Sequence, residues 1–222
     1  MEDYKELLLD SEKTKALVRV VAHLMGDGCV TNKYFSYYNK NDTLLNGFEK
    51  DLIFLFGNIH LIKGKVNSGT RFIMVQNKPI HTFLKSLLAD YRSFALYMPK
   101  FIDRRELYVE FLRTIYDDEG CAALRLYKKT NEIKRSITLS SNSKRLLEEI
   151  KVILENEFAI KSNKLGRYDR RRESKVYTNY VLTITAKSNI EKFRDTIGFS
   201  HPAKVEKLDR MIKSYIRLAA TK

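Results

Sequence analysis

The chain has 222 residues, 44% of them hydrophobic, enough for one large domain or two compact halves with a sizeable core. Lys and Arg outnumber Asp and Glu by 41 to 27, and the formal charge of +14 points to a polyanionic partner, nucleic acid before an anionic membrane surface. No apolar run approaches a bilayer span, Met1 to Asp10 is too acidic and mixed for a secretory signal, and two cysteines exclude a disulfide framework, so a reducing, cytoplasmic setting is expected.

Leu17, Val20, Val21 and Leu24 recur at helical spacing, with Thr14 as a candidate N-cap and Gly28 as a left-handed stop. Strand-like residues run from Cys29 to Asn39. A helix is predicted over 43–58, with the run Leu52 to Phe56 in the core. A hairpin over 63–76 turns near Ser68-Gly69, and a helix follows over 79–89.

The second half repeats this order. A helical pattern from Val109 ends at Gly120, again read as a left-handed stop. Alternation from Cys121 to Tyr127 sets Leu124 and Leu126 on one face and Arg125 and Tyr127 on the other. A turn is read over 128–134. Ser136 to Ser140 alternates with Ile137 and Leu139 inward. Ser143 caps a helix to about Glu157, carrying Leu146, Leu147, Ile150 and Leu154. Lys161–Tyr168 and Lys175–Thr185 form a hairpin around 169–172, and a short helix runs from about Asn189 to Thr196.

Leu17 to Cys29 and Val109 to Cys121 are therefore equivalent: a helix, an acid, a glycine and a cysteine, each followed by strand, strand, helix, strand, strand, helix. This is an α+β chain of two αββαββα repeats, with residues 1–98 as the first, 99–107 as a connector and 108–222 as the second. A sheet with helices behind it has one face left over, and here that face carries basic and hydroxyl side chains.

Val20-Val-Ala-His-Leu-Met-Gly-Asp-Gly28 and Leu112-Arg-Thr-Ile-Tyr-Asp-Asp-Glu-Gly120 resemble the two copies of the LAGLIDADG motif of homing endonucleases, and the resemblance covers nearly the whole chain. Ile197 to Pro202 also looks like the end of the second repeat in archaeal members. The resemblance implies a pseudo-twofold axis where the two motif helices pack, a saddle of two antiparallel sheets, and a monomer that cuts double-stranded DNA with Mg²⁺ or another divalent cation such as Mn²⁺. Asp27 and Glu119 match the motif acids and would hold the metal with the backbone carbonyls of Gly26 and Asp118. Lys40 matches the family's catalytic lysine, whereas Asn142 stands in the second half's equivalent place. Thr114 and Asp118 are bulkier than the small residues Ala22 and Gly26 opposite them, and Met25 replaces an acid that Asp117 keeps.

DNA contacts are expected from strand faces: Arg125, Tyr127, Thr138, Ser140, Lys175, Tyr177, Asn179 and Thr183, with Lys33, Lys63, Lys65 and Arg71 in the first half. Arg167, Arg170, Arg171 and Arg172 are expected to clamp backbone phosphates. His23, His60, His81 and His201 lack ligand spacing; His23 reads as a core or interface residue, and Cys29 and Cys121 read as strand-start packing. The chain opens on Met1 and closes on Thr221-Lys222 without the residues that flank a splicing intein, which favours a free-standing, intron-encoded type of endonuclease. The alternatives on the same fold are a DNA-binding regulator with an impaired site and a maturase that binds intron RNA.

Overall fold

The computed structural model describes residues 6–88, 90–127, 132–172 and 175–219. The first half is α1 (Ser11–Met25), β1 (Gly28–Val30), β2 (Phe35–Asn39), α2 (Asp42–Phe56), β3 (Ile62–Lys65), β4 (Arg71–Val75) and α3 (Lys78–Leu87). The second is α4 (Arg105–Glu119), β5 (Gly120–Tyr127), β6 (Glu132–Ser141), α5 (Lys144–Phe158), β7 (Gly166–Arg172), β8 (Lys175–Ile184), α6 (Lys187–Thr196) and α7 (Pro202–Ala219). Two wholly antiparallel sheets result, ordered β1-β2-β4-β3 and β5-β6-β8-β7. The α+β class and the repeated αββαββα order expected from the sequence are both present. Among the described residues no helix is long and apolar enough to cross a membrane.

Helices α1 and α4 pack on each other at the centre. Helix α1 also meets α2, β1 and β2, which is why Leu17, Val18, Val20, Val21, Ala22 and Leu24 are all buried, around more than one face. Each of these Leu and Val side chains contributes about 1.5–3 kcal/mol on burial. Arg19 ties three helices together, bonding Asp51 of α2 through Nε (2.8 Å) and Glu110 of α4 through Nη1 (2.9 Å).

Several local expectations change. Asp10, not Thr14, caps α1, accepting from the amides of Glu12 and Lys13, while the Thr14 hydroxyl turns inward to the carbonyls of Leu7 and Asp10. Gly28 and Gly120 open strands rather than taking a left-handed stop. A Cβ on Gly28 would lie 2.4 Å from Leu24 Cα, and one on Gly120 would lie 2.5 Å from the Tyr116 carbonyl oxygen, so close approach demands glycine there. Ser143 does cap α5, its hydroxyl accepting from the Leu146 amide. In the Leu52 to Phe56 run Leu52 and Leu55 are buried, but Ile53 and Phe54 are exposed. Residues 169–172 belong to strand β7 rather than to a turn. Part of the turn read over 128–134, and Ala89 at the end of the third predicted helix, lie outside the described residues.

Helix α7 extends the second half beyond the repeat. Asp117 accepts from the amides of Ser200 and His201 just before α7 starts, and Arg113 Nε donates to the Ile197 carbonyl (2.7 Å). On the sheet side, Arg135 Nε donates to Ser214 Oγ (2.8 Å).

Candidate active site

Asp27 sits in the turn after α1, and Glu119 is the last residue of α4. Packing of the two helices brings their acidic ends together. Partial burial pushes the Asp27 carboxyl up to about 6, and the charge of Asp118 adds to it against the opposing pull of Lys204 and His23. Surrounding protein, on a residue whose surface still meets solvent, pushes Glu119 up to about 7, aided by Asp27 and Asp118 and opposed by Lys204. Each helix end also directs its last carbonyls here, which adds negative partial charge. The cluster is thus short of positive charge.

Asp118 points inward. Its carboxylate has no exposed surface and lies against Gly26, where a Cβ would meet Asp118 Cβ at 2.8 Å. Tyr37 Oη donates to Oδ1 (2.6 Å), and His23 Nδ1 lies 2.9 Å from Oδ2. Asn39 Nδ2 reaches Asp118 Oδ1 (3.5 Å), Tyr37 Oη (2.9 Å) and Asp27 Oδ2 (3.2 Å), so it links the buried acid to the motif acid. His23 is therefore an interface residue, as its sequence context suggests.

Lys204, in the first turn of α7, closes the end of α4. Its ammonium donates to the carbonyls of Tyr116 (3.0 Å), Asp117 and Asp118 (3.4 Å). Sequence reasoning missed Lys204, whose partners lie more than eighty residues earlier in the chain. Lys40 is exposed in the junction between β2 and the Asn41 cap of α2, and its carbonyl accepts from Arg71 Nη2 (3.3 Å). Asn142 holds the equivalent junction in the second half and donates to Ser93 Oγ (3.3 Å).

Strand register sorts the expected DNA contacts. In the second sheet Ala122, Ile137, Leu139, Leu182 and Ile184 are buried on the helix side. Arg125, Tyr127, Thr138, Ser140, Tyr177, Asn179, Thr183 and Arg170 share the opposite, open face. Arg172 pairs in register with Lys175; their side chains lie outside the described set. Arg167 and Arg171 instead alternate onto the side of Tyr180, and Arg167 pairs with Asp169 (3.4 Å). In the first sheet Lys63, Lys65 and Arg71 are in register with Ile73, Tyr37 and Asn39 on the helix side. Lys63 pairs with Glu49 of α2 and Arg71 with Asp42, so these three do not belong to the open face. That face carries Cys29, Ser36, Tyr38, Ile62, Phe72 and Met74 instead. Lys33 is exposed in the turn between β1 and β2. Cys121 is exposed on the open face beside Thr138, and Cys29 is half-buried, so strand-start packing describes only the latter.

Residues 106–198 match the family described as the LAGLIDADG-like domain. This part of the chain is a LAGLIDADG-like domain. The whole chain has the fold of the homing endonuclease I-DmoI: mesophilic variants of that protein superpose with a TM-score of 0.62 at 16% identity, over 89% of this chain and 98% of theirs. I-DmoI in complex with DNA and Ca gives 0.60 at 15% identity, over 89% and 98%. The N-terminal LAGLIDADG domain of DUF199/WhiA gives 0.55 at 15% identity, over 95% and 94%. In sequence, the chain is 28% identical over 211 residues to the replication factor C small subunit of Methanocaldococcus jannaschii, a match over 93% of this chain that spans only 11% of that protein.

The packing of α1 on α4 brings Asp27 near enough to Glu119 for its charge to act on that carboxyl. Among the described residues no set of three His, Cys, Asp or Glu side chains forms a ready-made metal cage. Two carboxylates raised chiefly by loss of solvent, with Asp118 adding repulsion to both, are a donor set that a divalent ion could satisfy together with waters and substrate phosphates.

Proposed function

We propose that this protein is a divalent-metal-dependent endonuclease that cuts both strands of a long DNA site, as a monomer, in the manner of a homing endonuclease acting on behalf of an intron. The observation that carries the reading is the pairing of Asp27 and Glu119 at the ends of packed helices, both pushed upward by partial burial and by the charge of Asp118, beside a sheet face of basic, hydroxyl and aromatic side chains. Fold alone does not decide activity, because I-DmoI and DUF199/WhiA share it.

Asp27 and Glu119, with the carbonyls of Gly26 and Asp118, would hold Mg²⁺ or Mn²⁺, which when bound lowers the pKa of an attacking water and stabilises the leaving oxygen. The chain's own groups do the rest. Asn39 orients the Asp27 carboxylate. Lys40 extends from the β2–α2 junction toward solvent and would stabilise charge developing on the phosphate. Arg125, Arg170, Tyr177 and Asn179 hold the duplex from the open face of the second sheet. Lys33 adds charge at the far turn of the first.

Asn142 in place of a second lysine favours one alternative, a DNA-binding regulator with an impaired site. A randomised duplex library incubated with Mg²⁺, followed by end sequencing, separates the two. The endonuclease yields paired breaks at a common sequence, and Asp27→Asn or Glu119→Gln abolishes them while binding survives. Binding with no breaks from the unaltered protein establishes the regulator instead. Preference for intron RNA over duplex would mark a maturase.

A further inference from the structure

We propose that the Lys204 ammonium is a built-in cation of the acidic centre: held by α7 at the carbonyl end of α4, it supplies part of the positive charge that a divalent ion would otherwise provide, and it does so for one half of the centre only. The inference rests on the reading of Asp27 and Glu119 as metal-holding acids.

A lysine has three donors and no acceptor. Those of Lys204 go to three successive backbone carbonyls, of Tyr116, Asp117 and Asp118. The Tyr116 carbonyl also accepts from the Gly120 amide, while those of Asp117 and Asp118 belong to the last turn that a helix C-terminus leaves short of donors, where a cation is stabilised by the helix dipole. The group therefore acts as a fixed point charge and not as the partner of one carboxylate. Its field reaches the acids, since it opposes the upward shift of both Asp27 and Glu119. Burial lowers the pKa of Lys204 itself, against the pull of Asp117, Asp118, Cys121 and Asp27.

The position is enforced from both ends. Asp117 receives the amides of Ser200 and His201, so α4 supplies an acceptor to the start of α7 while α7 supplies a cation to the end of α4. The Phe199 ring, packed on Phe193, lies 6.0 Å from the ammonium. Helix α1 has no counterpart. Among the described residues, no lysine or arginine donates to the carbonyls of Leu24, Met25 or Gly26, and Met25 stands where Asp117 would anchor such a helix. The two helix ends thus differ by one resident charge.

A structural clip and a resident cation predict opposite changes on losing the charge. Loosened helix ends would bind a divalent ion less well, whereas removing a fixed positive charge would tighten binding, by about tenfold if water-like screening acts between charges ~6 Å apart. Lys204→Gln keeps amide donors for the carbonyls and removes the charge; Lys204→Arg keeps the charge. Titration of the purified protein with Ca²⁺ by calorimetry, at fixed ionic strength, reads the difference. The expected result is Ca²⁺ affinity about tenfold higher in Lys204→Gln and near that of the unaltered protein in Lys204→Arg. Binding that becomes measurable only in Lys204→Gln also supports the proposal. Unchanged or weaker binding in Lys204→Gln, or none in any form, overturns it. An Asp27→Asn/Glu119→Gln double variant in the same titration keeps the two readings apart. If it binds Ca²⁺ as well as the unaltered protein, the metal-holding role of the acids fails. If it does not bind and Lys204→Gln does not tighten, only the resident cation fails.

Discussion

The two sides of the helix pair invite a direct comparison, because Gly26 and Asp118 hold equivalent motif positions and face equivalent walls. Asp118 fills a slot formed by His23, Tyr37 and Asn39 of the first half. Gly26 faces the corresponding slot of the second half, lined by Ile115, Leu139 and Ser141, which holds a cavity of about 150 Å³ bordered by Glu119, Asn142 and Asn179. One slot is filled, polar and hydrogen-bonded through Asn39 to Asp27; the other is part empty, with the shorter Ser141 at the register position of Asn39 and its hydroxyl accepting from the Ser143 amide. A repeated fold has therefore produced two unlike chemical environments. The sheets show the same divergence, with a basic and hydroxyl open face in the second half and an aromatic and aliphatic one in the first.

The largest expected effect follows from emptying the filled slot. Asp118→Ala removes the acceptor of the buried Tyr37 hydroxyl and the partner of His23, and unsatisfied buried polar groups cost ~1–3 kcal/mol each. Relief of repulsion on Asp27 and Glu119 offsets part of that. A net loss of about 3 kcal/mol in urea denaturation is expected. The pKa of Asp27, whose largest charge repulsion comes from Asp118, should fall further than that of Glu119. A loss below about 1 kcal/mol would mean that the slot is no more important to folding than its empty twin.

The acids themselves give the next effect. Asp27 and Glu119 titrate near 6 and 7 in the folded chain, above their ordinary values. A folded state that binds protons more tightly than the unfolded one loses stability as pH rises. Their penalty is complete only about a unit above the higher value, and it is relieved as pH falls through 7 and 6 toward the ordinary carboxylate range. The metal-free protein should accordingly melt at higher temperature at pH 5.5 than at pH 8, and the Asp27→Asn/Glu119→Gln variant should flatten that slope. Added Mg²⁺ should raise the melting temperature at pH 8 and lose its effect below about pH 6, where it competes with protons.

What could be read from the sequence follows a physical divide. The two motif helices, the Ser143 cap and the alternation of Arg125 and Tyr127 against Leu124 and Leu126 depend on near neighbours in the chain, and local periodicity exposes them. Lys63, Lys65 and Arg71 were assignable to either face, because Gly64 between two lysines and the run Phe72 to Val75 show no clean polar alternation. Pairing with Tyr37 and Ile73, and the helix-side acids Glu49 and Asp42, decides their side. Helix α7 carried a readable signal in Leu208, Met211, Ile212 and Tyr215 at helical spacing. The roles of Asp118 and Lys204 had none: each depends on partners brought close only by packing of α1 on α4 and of α7 on α4's end.

The smallest effect tests the face assignment within one strand. Arg170 and Arg167 both belong to β7, three residues apart, and alternate to opposite sides. If duplex DNA lies on the open face of the second sheet, Arg170→Glu removes a phosphate contact and lowers the salt slope of binding to a non-specific duplex by about one. Arg167→Glu changes the net charge equally and should leave the slope nearly unchanged, because its side chain is turned to the other face and paired with Asp169. Both variants carry the same loss of long-range attraction, so their difference isolates contact from overall charge. Equal slopes for the two would move the duplex off this face, and would assign the chain's affinity for polyanions to its net charge of +14 alone.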